Sequence, residues 1–230
     1  MGDAIGPRRV PPSRIRDFLR VYLIVDPESA GTRERLPDIV RAGVAGGATI
    51  VQLRDKHGTD DEVLACAREL KKVLDHLRVP LIINDRVEVA RAVEADGVHV
   101  GPYDLPPSDV RTMMGAHAII GFSVPDEGTA AGVDPAVVDY VGIGPFFATA
   151  TKANAAPAMG PESFARMCRC MTLPIVGIGG INAQNARAVI EAGADGVSFV
   201  SAVCAASDPE AATREIAAIV AEAVRATGAE

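Results

Sequence analysis

The chain has 230 residues, 48% of them hydrophobic in type, and a formal net charge of −7. That length buries a large core without disulfide or metal staples. The acidic, unclustered charge offers no basic surface to nucleic acid, and no apolar run approaches the roughly 18 residues that cross a bilayer.

The first residues, MGDAIGPRRVPPSR, carry Pro, Gly and Arg without the apolar segment of a secretory signal. Residues 1–12 are expected to form a flexible tail, and residues 13–230 a single domain. Four scattered cysteines, Cys66, Cys168, Cys170 and Cys204, lack zinc-ligand spacing. They read as reduced thiols of a cytoplasmic protein.

Eight short β-branched apolar runs then follow in order. They are VYLIVD (21–26), TIVQLRD (49–55), LIIND (81–85), GVHVG (97–101), AIIGFSV (118–124), DYVGIG (139–144), PIVGIGG (174–180) and DGVSFVS (195–201). Each is nearly continuous in hydrophobics, as parallel strands buried on both faces are. Ala-rich stretches of helical period separate them, at 59–77, 86–95, 182–192 and 208–226, with a weaker, Pro-led one at 106–116. AGGAT, EADGVHV and EAGADGV punctuate the chain, each reading as a helix end, a left-handed Gly or Asp, and a new strand. Eight strands alternating with helices predict an α/β fold, a (β/α)8 TIM barrel. An open doubly wound sheet is the alternative, but no GxGxxG follows the first strand.

Active sites of such barrels lie at the C-terminal strand ends. Those ends carry Gln52, Arg54 and Lys56; Asn84 and Asp85; Asp104; Ser123; Thr149 to Lys152; Gly179 and Gly180; and Ser201. Gln52, Arg54 and Lys56 would share one side of an extended strand, making an anion site for a polyphosphate or a ladder of salt bridges. Asp85 and Asp104 suit a Mg²⁺–diphosphate complex, with a helix cap as the other reading of Asp85. Gly180 and Ser201 fit the common barrel phosphate site after the seventh and eighth strands. His99, inside the fourth strand, reads as a packed histidine, and His57, His76 and His117 as surface residues. Two anion sites on one rim imply two phosphorylated ligands.

These motifs, VQLRDK, NDRVEVARAVEADGVHVG with the following DLP, DYVGIGPFF with TATK, PIVGIGGI and GADGVSFVSA, resemble those of the thiamine-phosphate synthase family. The resemblance spans about residues 22–208. It implies a TIM-barrel transferase of thiamine biosynthesis. Such an enzyme joins 4-amino-2-methyl-5-hydroxymethylpyrimidine diphosphate to a thiazole phosphate and releases pyrophosphate. By the same resemblance Gln52, Leu53, Arg54, Asp55, Lys56, Asn84, Ser123 and Lys152 would bind the pyrimidine diphosphate. Arg54, Lys56 and Lys152 would act on the leaving group. Thr149, Ala150, Thr151, Gly180, Val200 and Ser201 would bind the thiazole phosphate, and Asp85 and Asp104 would hold Mg²⁺. The loop around Lys152 resembles a lid. Pro102, Pro125–Asp126 and Ala148 depart from the family pattern, which has Gln, His-Thr and Pro there. The alternatives are a thiazole tautomerase of the same superfamily and a non-catalytic phosphate-ligand sensor. Both partners are small molecules, and a homo-oligomer stays open.

Overall fold

The computed structural model describes residues 11–149 and 157–228. Eight parallel strands close on one another in sequence order. They are β1 (Val21–Val25), β2 (Ile50–Leu53), β3 (Leu81–Asn84), β4 (Gly97–Val100), β5 (Ile119–Val124), β6 (Tyr140–Ile143), β7 (Ile175–Gly177) and β8 (Gly196–Phe199). Helix α1 (Pro12–Leu19) precedes the barrel. Helices α2 (Pro27–Ala30) and α3 (Leu36–Ala45) follow β1, α4 (Asp60–Leu77) follows β2, and α5 (Val87–Ala92) follows β3. Then come α6 (Pro107–Met114), α7 (Glu127–Ala131), α8 (Gly160–Cys170) and α9 (Ala186–Glu191), one after each strand, and finally α10 (Ser201–Cys204) and α11 (Pro209–Thr227). This is the expected single-domain (β/α)8 barrel; pairing of β1 with β8, Leu23 opposite Phe199, excludes the open sheet.

All eight expected runs are strands, most of them shorter at the C-terminal end because the polar tips belong to the loops. Residues alternate between two cores. The outward set, including Leu23, Val51, Ile83, Val98, Val141 and Val197, packs under the helices. The inward set, Tyr22, Ile24, Ile50, Ile82, Ile119, Tyr140 and Val176, fills the barrel.

Helix α1 is not announced by the sequence, because eight residues with three charges make a weak pattern. It takes in Pro12, the last residue assigned to the tail; residues 1–10 lie outside the described part. Ile15, Phe18 and Leu19 form one face, and Ile15 and Leu19 join the inward core from below. Gly196 admits the helix end, since a Cβ there would strike the Leu19 carbonyl.

The same end of the barrel is closed by a repeated device. The residue just before each even-numbered strand donates its own N–H to the strand before it and accepts an N–H from the same residue. Thr49 bonds Val21 (3.0 Å to its Oγ1), and the carboxylates of Asp96, Asp139 and Asp195 take the N–H groups of Leu81, Ile120 and Ile175 at 2.9, 2.8 and 2.8 Å. Lys71, Arg111 and Arg16 each neutralise one of the three carboxylates. AGGAT and EAGADGV turn on a left-handed glycine as expected, but EADGVHV does not turn on its aspartate. Their aspartates latch strands, while the left-handed residues are Gly47 (φ 110°), Glu94 (φ 52°) and Gly193 (φ 109°).

Replacing Asp139 by Ala strands the Ile120 N–H and removes the carboxylate facing Arg111. The expected loss is about 2 kcal/mol of stability, read from urea unfolding. A loss below about 0.5 kcal/mol, typical of ordinary surface changes, would deny the latch its role.

Candidate active site

At the other end, every strand contributes a tip. The first is Asp26, after β1, which no motif singles out. Its Oδ1 accepts the Glu28 N–H at 2.9 Å and opens α2, and its Oδ2 pairs with the Arg54 guanidinium. Strand β2 ends at Leu53, so the stripe expected from Gln52, Arg54 and Lys56 splits three ways. Gln52 points into the barrel and donates Nε2–H to the Tyr22 hydroxyl at 2.8 Å. Arg54 turns towards β1 and Asp26, and Lys56 turns towards the end of β3 and Asp85.

Both cations are thus paired, as the salt-bridge reading expected, but the pairs differ in kind. The Arg54 and Asp26 side chains are 15% and 4% exposed, a buried pair that fixes Arg54 in place. Those of Lys56 and Asp85 are 40% and 17% exposed, so this pair is hydrated and exchangeable. The rim thus carries a rigid guanidinium and a movable ammonium.

Leu53 and Asp55 turn away from the rim. Leu53 lies in the outer core. Asp55 accepts from Arg33 Nε at 2.6 Å and from the N–H groups of Gly58 and His57 at 2.8 and 3.2 Å. Burial pushes its carboxyl pKa up; the Arg33 guanidinium and the two N–H groups more than reverse this and hold it below the usual carboxylate value. Asp55 shapes the loop that presents Lys56.

Asn84 donates Nδ2–H to Asp85 Oδ2 at 2.8 Å. Asp85 has φ 53°, a left-handed conformation that Asp tolerates better than most residues. It does not cap a helix: α5 starts behind Arg86 and has no side-chain cap. Asp104 is exposed, and its Oδ2 accepts the Gly101 N–H at 2.7 Å in a tight turn after β4. Ser123 on β5 bonds His99 Nε2 at 2.9 Å, and His99 Nδ1 bonds Tyr140 at 3.0 Å. His99 is packed, as expected, and sits in a polar chain that the sequence does not reveal. His57, His76 and His117 are exposed.

Thr149 after β6, Gly180 after β7 and Ser201 after β8 line one cleft of about 520 Å³. Glu28, Ser29 and Asn182, absent from the sequence-derived set, line it too. Gly180 has φ 63°, and a Cβ there would press on the Ala148 carbonyl and Phe147. Val200 is half-buried against the core. Ala150, Thr151 and Lys152 lie outside the described residues.

A family model described as thiamine monophosphate synthase matches residues 21–203. The chain belongs to that family. It is 47% identical over 199 residues to the thiamine-phosphate synthase of Laribacter hongkongensis, covering 86% of this chain and 94% of that one. Against the thiamine-phosphate synthase of Xanthobacter autotrophicus it is 47% identical over 202 residues, covering 88% and 95%. The solved thiamine phosphate pyrophosphorylase from Pyrococcus furiosus superposes with a TM-score of 0.82 at 34% identity, covering 91% of this chain and 99% of that one. Where the family pattern has His-Thr, this chain uses Asp126 to cap α7, accepting the Thr129 N–H at 2.7 Å.

The Asp55 contacts have a pH signature. Its pKa is lowered on folding, so its contribution is complete above the unfolded carboxyl value of about 3.9 and is lost as pH falls through the lower folded value. Urea unfolding of wild type and Asp55→Asn should show a gap at pH 7 that closes progressively below about pH 4. A gap that persists unchanged at the acid end would contradict the assignment.

Proposed function

We propose that this chain is a thiamine-phosphate synthase, a transferase that condenses 4-amino-2-methyl-5-hydroxymethylpyrimidine diphosphate with thiazole phosphate to give thiamine phosphate and pyrophosphate. Family membership supports the activity. What supports the substrate assignment is one rim that carries a small-residue cleft and, apart from it, two ion-paired cations. A cleft lined by Thr149, Gly180 and Ser201 opens at the β6–β8 tips, and the Arg54 and Lys56 ion pairs stand at the β1–β3 tips.

The thiazole phosphate belongs in the cleft, where hydroxyls and glycine backbone suit a phosphate. The pyrimidine diphosphate belongs over Arg54, Lys56 and Asn84, with Gln52 and Ser123 facing its ring. Lys152 joins these cations on the strength of the TATK motif. The diphosphate leaves from a methylene on an electron-rich aminopyrimidine. The C–O bond breaks with its electron pair going to pyrophosphate, and the thiazole nitrogen lone pair forms the new C–N bond. Arg54, Lys56 and Lys152 neutralise charge growing on the leaving group. No proton moves, so no general base is needed. The remaining work is alignment of two substrates and exclusion of water.

Asp85 and Asp104 would hold Mg²⁺. Among the described residues no three His, Cys, Asp or Glu side chains gather into a complete metal site. Two carboxylates leave coordination positions for water and substrate phosphate, the usual arrangement for this ion. The Lys56 ammonium already rests on Asp85 as a stand-in cation. When bound, the metal would supply further charge neutralisation for the departing diphosphate. Four free cysteines support a reducing, cytoplasmic setting; burial pushes the Cys204 thiol up to about 11, so it stays protonated.

A tautomerase or a phosphate sensor has no use for leaving-group cations. Mixing both substrates with Mg²⁺ should release pyrophosphate, and omission of either substrate or addition of a chelator should stop it. Release from the diphosphate alone, or none at all, would sink the proposal. Asp85→Asn keeps the backbone preference and removes the charge. Its turnover should fall at least about 100-fold, and unchanged Mg²⁺-dependent turnover would remove Asp85 from the metal site.

A further inference from the structure

The middle of the barrel is not apolar. A continuous chain of side chains crosses it: Gln52 on β2, Tyr22 on β1, Tyr140 on β6, His99 on β4 and Ser123 on β5. The links measure 2.8 Å (Gln52 Nε2 to Tyr22), 2.8 Å (Tyr22 to Tyr140), 3.0 Å (Tyr140 to His99 Nδ1) and 2.9 Å (His99 Nε2 to Ser123 Oγ). Room for it is reserved in the sequence. A Cβ on Gly121 would collide with the Tyr140 ring and His99 Nδ1, and one on Gly142 would crowd the His99 ring. A barrel can be filled with branched aliphatics, so a buried polar chain with two tailored glycines calls for a use beyond packing.

The chain has a direction. Gln52 donates to the Tyr22 oxygen. Tyr22 is fully buried and its phenol stays protonated, burial raising its pKa far above the usual value. Its O–H has Tyr140 to donate to, and among the described residues no buried side-chain polar atom lacks a partner. With a neutral imidazole, Tyr140 then donates to His99 Nδ1, Nε2 carries the imidazole proton and donates to Ser123, and the Ser123 proton is left for the site. At the other end, the Gln52 carbonyl oxygen is left for the site. One end offers an acceptor and the other a donor. Reversing either one requires both phenols, the imidazole tautomer and the amide to turn together.

The geometry points to Tyr22, Tyr140 and His99 as positioning residues that hold Gln52 as an acceptor and Ser123 as a donor, thereby selecting a 4-aminopyrimidine over its 4-oxo counterpart. This rests on the proposed placement of the pyrimidine between Gln52 and Ser123. A 4-aminopyrimidine presents an N–H donor beside a ring-nitrogen acceptor, matching the two ends. The 4-oxo ring presents a carbonyl beside a ring N–H, opposed at both. A site built on paired hydrogen bonds rejects such a mismatch far more strongly than a change of shape.

Two measurements test this. Nitrogen-15 NMR of the imidazoles in the unliganded protein, with His99→Gln to identify the signal, should show His99 as the Nε2–H tautomer. The Nδ1–H tautomer would overturn the proposed direction whatever the enzyme's activity. Second, the 4-oxo analogue of the diphosphate should bind wild type at least about 100-fold more weakly than the amino compound. Tyr140→Phe keeps the ring and cuts the chain. It should raise KM for the amino diphosphate about 10-fold, leave KM for thiazole phosphate unchanged, and narrow the amino-to-oxo ratio. A ratio unchanged by Tyr140→Phe, or equal losses for all three ligands, would overturn the proposal. Wild type that releases no pyrophosphate would instead fail the function reading, and the tautomer measurement would still judge the chain.

Discussion

The barrel depends on a grip made four times. A parallel strand pair has slanted hydrogen bonds and exposes an unpaired N–H at the start of each strand. Here Thr49, Asp96, Asp139 and Asp195 each satisfy one such N–H with a side chain, while their own N–H groups bind the same residue's carbonyl. The strands are thereby locked in pairs at the end remote from the candidate site, and three of the four grips carry a cation partner. Stability concentrated there leaves the opposite rim free to hold groups that a folding argument alone would not favour: a half-exposed ammonium, a left-handed aspartate and a cleft walled by small residues.

Between these two ends the interior is mixed in character. Ile15 and Leu19 of α1 and the inward Ile50, Ile82 and Ile119 are apolar. The polar chain runs among these apolar residues, Ile24 and Ile82 standing level with Gln52, and its members meet each other's hydrogen-bonding needs. The two ion pairs at the rim differ in burial. The deeper Arg54–Asp26 pair is closed and structural, and the shallower Lys56–Asp85 pair is open to exchange.

Periodicity and turn chemistry made the architecture legible. Eight apolar runs of strand length with Ala-rich helices between them allow little besides a closed barrel, and the rule that chemistry sits at strand tips selects Arg54, Lys56, Asn84, Asp85, Ser123, Gly180 and Ser201 as candidates. What escaped is what depends on pairing across the barrel. Asp26 reads as the end of a strand until Arg54 is seen beside it. Tyr22 and Tyr140 lie 118 positions apart, and no local pattern joins them. The extended stripe of Gln52, Arg54 and Lys56 failed because alternation holds only while the strand lasts, and β2 stops at Leu53. In EADGVHV, which has no glycine before Asp96, the turn reading falls on that aspartate, yet Asp96 grips the preceding strand and Glu94 takes the left-handed turn.

Asp85 constrains what the chain can become. Its backbone sits in the left-handed region, which Asn and Gly adopt most readily, so those two substitutions disturb the backbone least. Both lie one nucleotide away from either aspartate codon. Loss of the carboxylate at this tip therefore has a short mutational path that leaves the barrel intact.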